Sequence, residues 1–323
     1  MQKIDTSLPV PTPFRPNSGT TPTVEYEFKT EIFEGEDGTE QRWARRARPR
    51  VTIRFESVAA TSAHVNACFD FMDQIGSSAI AVPDFRLTGS ALAAPGSSLL
   101  RFEDNFCAWP VGTSVLIDRR YGLGGHVARV TSFDPVTGQI SIIPALPSSG
   151  FVAGELLQVW SCVSASPKDV AMTLLGPDAL KVEVEAAIYP QETVVIGTVA
   201  NMVFPAKHRD AAPITATVSK SVRTLDHGKG PVFEFLGEDA RMTGRRTYDL
   251  ATLQFTQSEK EQMIRFFVAC RGRCRSFTVP AGVIPGDHGA SATRHRFASD
   301  ILTVEHIDAD KSKVTAKIVE VFD

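Results

Sequence analysis

The residue types that can do chemistry are sparse in this chain, and their spacing decides most of the candidates. Cys270 and Cys274, with His288 and His295 downstream, form the one grouping of metal-ligand types. Structural zinc and iron–sulfur sites use four ligands and commonly open on C-x2-C. Here the spacing is C-x3-C and Cys270 falls on an apolar stripe, so it reads as a core cysteine, with no metal and no cofactor. A second grouping is basic: Arg42, Arg45, Arg46, Arg48 and Arg50 crowd one short stretch. Phosphate contacts need only positive charge, so the run can be read as the lining of a DNA conduit. Trp43 alone interleaves it, however, and Glu34, Glu36, Asp37 and Glu40 stand just before it. A solvated loop or an ion-pair surface between subunits fits that balance better. A third grouping, Arg101 to Trp109 (RFEDNFCAW), sets Phe102, Phe106 and Trp109 beside carboxylates. Carbohydrate sites use that mixture, but the same spacing can bury the rings against a neighbouring barrel.

No enzyme motif emerges. YGLGGH at 121–126 is not G-x-G-x-x-G, and strand-like sequence flanks it where a helix would have to follow, so it reads as a hairpin turn. No G-x-S-x-G, H-E-x-x-H or P-loop pattern occurs. His64, His208, His227 and His306 sit in unrelated contexts, without a nucleophile or carboxylate at a telling spacing.

Composition narrows the class further. The chain has 323 residues, 43% hydrophobic and 22% charged, enough for two domains of ordinary size. A net charge of −3 gives no overall field for nucleic acid or an anionic membrane. Its apolar runs are too short to span a bilayer, and the opening residues lack the apolar core of a secretory signal. Five cysteines at irregular spacing make no disulfide framework, which implies synthesis in the cytoplasm with reduced thiols. Residues 1–24, rich in Pro, Thr and Ser, read as an extended arm.

The elements that would position these residues are written twice. FEGEDGTEQRWARRARPRVTIRFE (33–56) and FLGEDARMTGRRTYDLATLQFT (235–256) share one order: Phe, Gly-Glu-Asp, basic residues, then an alternating strand that reaches Phe55 or Phe255. Helices with one apolar stripe follow, Val65, Cys68, Phe69 and Met72 in one copy and Met263, Phe266, Phe267 and Cys270 in the other. Ser258 and Glu261 suggest a capping box, and Gly76 and Gly272 mark the helix ends. Short strands then run to Val-Pro at Pro83 and Pro280. Each copy closes on an alternating strand; in LKVEVEAAI, Leu180, Val182, Val184 and Ala186 line one face. The first copy is the longer, and its surplus falls at 95–163, where β-rich runs alternate with glycine turns such as Asp134-Pro135-Val136-Thr137-Gly138. That stretch reads as a small barrel or sandwich.

In its order of features, including Ser276-Phe277-Thr278-Val279-Pro280 and the Pro110 to Thr113 turn, the chain resembles tail-tip proteins of long-tailed bacteriophages. It is similar to the lambda-type minor tail protein M and to the belt domain of distal tail proteins, with the unit duplicated. The resemblance implies a mainly β fold, barrel or sandwich with one helix per unit, as two related β-barrel domains and a small β insertion. The domains would be the arm at 1–24, a first barrel at 25–94 plus 164–200, the insertion at 95–163, and a second barrel at 201–323. It further implies a structural virion protein of the phage tail tip, made in the host cytoplasm. As an adaptor ring it would join a six-fold tail tube to a three-fold hub around the DNA conduit. The expected partners are copies of the chain in a pseudo-six-fold trimer, the tail tube, hub and tape measure proteins, and side fibres. No membrane insertion is expected, and DNA would only pass through the lumen. Arg42, Arg45, Arg46, Arg48, Phe102, Phe106 and Trp109 are the candidate interface residues. The alternative is host recognition or fibre docking through 95–163.

Overall fold

Apolar and polar residues alternate through most of the chain, and strands follow that alternation. The computed structural model describes residues 8–14, 21–34, 40–75, 79–92, 94–102, 109–119, 125–188, 202–205, 215–219, 222–226, 231–235, 245–254, 256–280, 283–284, 294–307 and 311–321. The fold is mainly β. Strands β1 (Val10–Pro11), β2 (Thr23–Glu27), β3 (Thr30–Glu34), β4 (Glu40–Ala44) and β5 (Arg50–Ala59) precede helix α1 (Ser62–Ile75). Then come β6 (Ile80–Leu92), β7 (Leu99–Phe102), β8 (Ser114–Arg119), β9 (Gly125–Asp134), β10 (Gln139–Ile143), β11 (Leu156–Gly176) and β12 (Ala179–Ile188). The remainder is β13 (Thr215–Ser219), β14 (Val222–Asp226), β15 (Pro231–Phe235), β16 (Arg245–Gln254), α2 (Gln257–Cys270), β17 (Arg294–Phe297), β18 (Ile301–His306) and β19 (Ser312–Val321). No helix among the described residues is long and apolar enough to cross a membrane.

The chain divides into a first unit, Met1–Val24 with Thr52–Tyr189, and a second, Glu25–Val51 with Pro190–Asp323. In the first unit β5, β12 and β11 lie side by side. Leu180, Val182, Val184 and Ala186 are buried on one face of β12, as its alternation requires. On the other face Arg54 bonds Glu185, Lys168 reaches the same carboxylate, and Lys181 bridges Glu56 and Glu183. In the second unit β16, β19 and β18 repeat this order. Lys317–Asp249 and Lys313–Glu305 pair across those strands, while Leu250, Val304, Val314, Ala316 and Ile318 are buried. Each unit thus has a ten-residue strand, a fourteen-residue helix and a ten-residue closing strand.

The helices begin alike. Thr61 Oγ1 accepts from the His64 N–H, and Thr256 Oγ1 from the Glu259 N–H. The side-chain cap of α2 is therefore Thr256, two residues ahead of the Ser258 that the sequence suggested. Aligned on these threonines, Cys68 matches Met263 and Met72 matches Phe267. The repeat also starts earlier than expected. Val10 and Pro11 pair in parallel with Ile80 and Ala81, and Val203 bridges Thr278 in parallel. Behind these pairings Phe14 meets Phe71 edge-on at 5.3 Å, and Phe204 meets Phe266 at 5.8 Å. Residues 8–14 are thus built into the first unit, contrary to the arm expected over 1–24, because burying the Phe14 ring contributes about 2 kcal/mol.

The 95–163 stretch rides on the two longest strands. Strand β6 does not stop at Pro83; it turns through Phe85, at φ 57°, and runs on to Leu92. The Ser161 hydroxyl holds this bend by donating to the Asp84 carboxylate and accepting from the Leu87 N–H. The pairings β6–β7–β10–β9–β8–β11 return to β6, so six strands close a barrel. Its core gathers Leu100, Phe102, Trp109, Ile117, Val130, Ile140, Leu157 and Val159. The expected turn at Asp134 forms: its carboxylate accepts from the Val136 N–H and the Thr137 hydroxyl, and Gly138 takes φ 64°. In the second unit the described pairings run from β2 through β18, β19 and β16 to β13 without closing.

Candidate interaction surface

The basic run lies on a hairpin. Its antiparallel register sets Ile32 opposite Arg42, Glu31 opposite Trp43 and Phe33 opposite Gln41. Alternation then sorts the side chains. One face turns inward with Thr30, Ile32, Glu40 and Arg42. The other leaves Phe33 58% and Trp43 62% exposed. Arg45 stacks over Trp43 with its guanidinium 4.7 Å from the ring centroid and also bonds Glu31. That guanidinium holds the Glu31 carboxyl below its ordinary value. Arg46 pairs with Glu27, and Arg48 is exposed. Of the acidic residues noted in the sequence, Glu40 lies 3.6 Å from Arg42, whereas Arg45 and Arg46 take Glu31 and Glu27 instead, and Glu36 and Asp37 lie outside the described residues.

The inward face of the hairpin docks on its own unit. Glu40 accepts two bonds from Arg296, Nε and Nη2 each at 2.8 Å, with the two side chains 1% and 8% exposed. A pair so buried is held by its geometry, and removing either half leaves a charge out of water. Ahead of the hairpin, Phe28 packs against Phe267 at 5.8 Å, and its N–H donates to the Asp300 carbonyl at 2.8 Å. The Asp300 carboxylate accepts from the Thr30 and Arg273 N–H groups and meets the Arg273 guanidinium at 3.3 Å. Gly272, at φ 62°, makes room for this seat, since a Cβ there would lie 2.5 Å from Asp300 Oδ1 and 3.1 Å from Phe28 Cβ.

This seat corrects the expected boundary. A first domain beginning at residue 25 would have kept 25–51 with α1, yet Phe28, Thr30 and Glu40 complete the second unit. Phe28, Thr30, Arg273, Asp300 and Arg296 carry no short-range signal. The Thr30–Asp300 bond spans 270 residues, so only the fold brings them together.

Two of the insertion's three aromatic candidates are core residues. Phe102 is buried and Trp109 is 2% exposed; their rings stack at 5.1 Å with 16° between planes. Phe106 lies outside the described residues. The pair packs within the insertion's own barrel, so it offers no exposed platform to a sugar. Cys270 is buried among Phe266, Phe267 and Phe277, and burial pushes its thiol up, as it pushes Cys68 up to about 11. A thiol in that environment is a poor source of thiolate ligand. His295 is buried beside Tyr248, and His288 lies outside the described residues. Among the described residues no group of three or more His, Cys, Asp or Glu side chains is placed to hold a metal. His64 meets the Pro13 carbonyl and His306 meets Ser312; His208 and His227 lie outside the described residues. The YGLGGH stretch falls mostly outside them too, between strands β8 and β9, which pair antiparallel.

No protein-family model matches the chain, and no curated protein matches it significantly. The functional reading therefore rests on the repeat and its surfaces.

Proposed function

We propose that the protein is a structural component of a long-tailed phage tail tip, an adaptor ring that joins a six-fold tube to a three-fold hub. The observation that carries this reading is the duplicated unit: strand, capped helix and closing strand, in the same sheet order, twice in one chain. A ring of three such chains presents six similar units while keeping true three-fold symmetry, and closed cyclic assemblies are the usual outcome of repeated head-to-tail contacts. Charge supports the conduit role. In both units the strands carry cross-strand ion pairs on the face away from their apolar side, and in the basic run Arg42, Arg45 and Arg46 stand beside Glu40, Glu31 and Glu27. A charge-balanced wall lets DNA slide past, whereas a free basic stripe would bind it. The test is the copy number per virion, by quantitative mass spectrometry of purified particles. Three copies per tail support the adaptor. Six would leave the duplication without its symmetry role, and absence from the particle would remove the tail reading.

A further inference from the structure

An uncharged strand edge runs along the first unit. The N-terminal half of β11 pairs with β6 and β8, but the C-terminal half pairs with β12 alone among the described residues. Its last seven residues read VAMTLLG (170–176), without a charge or a proline. Val170, Met172 and Leu174 stand opposite Val184, Val182 and Leu180 and share their apolar face. Those three β12 side chains are buried, yet Leu174 is 63% and Leu175 60% exposed. Proline, lysine and a bulge blunt a strand edge, and Pro167 and Lys168 at the register shift do so at one end only. An apolar, uncharged edge left open beyond them is a template for another strand.

The second unit shows what closes such an edge. Strand β18 corresponds to this half of β11, since each leads through a turn into the ten-residue closing strand of its unit. Leu302 and Val304 of β18 are buried, and the far side of β18 is taken by β2, whose residues Glu25 to Glu27 belong to that unit. In chain order β2 opens the first repeat: a short strand, a separate two-stranded ribbon, a ten-residue strand, then the helix. The second repeat has the same order and opens on β13. The two opening strands are alike, TVEYE and TATVS, each with threonine first and apolar residues second and fourth. Val24 of β2 is buried, whereas Val218 of β13 is 51% exposed, and β13 pairs with β16 and no other described strand.

We propose that β13 of one chain adds to the open edge of β11, residues 170–176, in a second copy, as β2 adds to β18 in the second unit. An opening strand and a closing pair are each left without a neighbour, and each is what the other lacks. Donor and acceptor differ, so the contact is heterologous and repeats until a ring closes. Neither strand carries a charge, so pairing them puts no ion out of water, and the backbone groups of both edges find partners. This inference rests on the proposal that the chain assembles with copies of itself, and it names the strands that meet.

The test uses the full chain. Leu174 is replaced by a photoreactive benzoyl-phenylalanine, unlabelled and nitrogen-15-labelled chains are mixed, and cross-linked peptides are read by mass spectrometry. Mixed-isotope links from position 174 into 215–219 are expected. In native mass spectrometry Leu174→Lys and Val218→Lys should each lose the closed oligomer, while Val136→Lys, on the insertion's hairpin, assembles as wild type. All three side chains are exposed in the single chain, so the substitutions leave its core intact. An equimolar mixture of Leu174→Lys and Val218→Lys should stop at a heterodimer, because one intact β13 then meets one intact β11. That result also excludes misfolding of either variant. Mixed-isotope links from 174 into 170–176, which would pair β11 with its twin, overturn this interface. Links elsewhere, or a closed oligomer that survives both substitutions, overturn it too, and the copy number per virion still decides the ring. A wild-type chain that never assembles, alone or in particles, overturns both.

Discussion

Taking away the Glu40 carboxylate strands the Arg296 guanidinium in a setting where its two bonds, at 2.8 Å each, have replaced water. Breaking one half of a buried pair typically costs about 3–5 kcal/mol, because the surviving charge is left unsolvated. Glu40→Gln is therefore expected to lower stability by about 3 kcal/mol in urea denaturation followed by circular dichroism. Glu261→Gln, which breaks the solvent-exposed Arg265 pair, should cost less than about 1 kcal/mol. The double variant Glu40→Met with Arg296→Leu should recover part of the loss, since the Arg296 charge is then gone and only Arg42, 11% exposed and 3.6 Å from Glu40, still loses that carboxylate. A double variant no better than Glu40→Gln alone would mean that the pair acts through hairpin shape rather than charge.

Close packing around Gly89 sets a tight constraint at the level of elements. A Cβ there would lie 2.8 Å from the Phe102 ring and 3.7 Å from Trp109, on which that ring stacks. Gly89→Ala should push the stack apart and cost about 1–3 kcal/mol, visible as a weakened near-ultraviolet dichroism of Trp109. An unchanged aromatic spectrum would show that the ring shifts freely. Much at this scale was legible in the sequence. The alternation of β12, the turn at Asp134 and the stop at Gly272 were all written locally. The matching of the helices was not. Sequence alone paired Val65 with Met263, whereas the threonine caps pair Cys68 with Met263, one turn along. Apolar stripes recur every three or four residues, so a slip of one turn leaves the pattern intact and only the cap reveals it. Likewise Phe102 and Trp109 fitted an exposed or a buried role equally, since a closed barrel and an open platform ask for the same residues.

The whole molecule is where sequence order and spatial order part. A boundary at residue 201 follows the repeat, but the second unit also needs 25–51. A fragment of 201–323 would leave the α2 stripe without Phe28 and Arg296 without Glu40. It is expected to bind a hydrophobic dye and to lack a cooperative thermal transition, and fusing residues 25–51 to it by a flexible linker should restore one. A cooperatively folding fragment without that segment would mean that the seat is ornamental to the unit. Time enters through the same feature. Phe28, Thr30 and Glu40 leave the ribosome long before α2 and Asp300 exist, so the second unit has a very high contact order and finishes last. During that interval the hairpin waits with the Phe33 and Trp43 face and its docking face both open to solvent. The yield of folded protein is therefore expected to depend on synthesis rate and chaperone occupancy as well as on final stability.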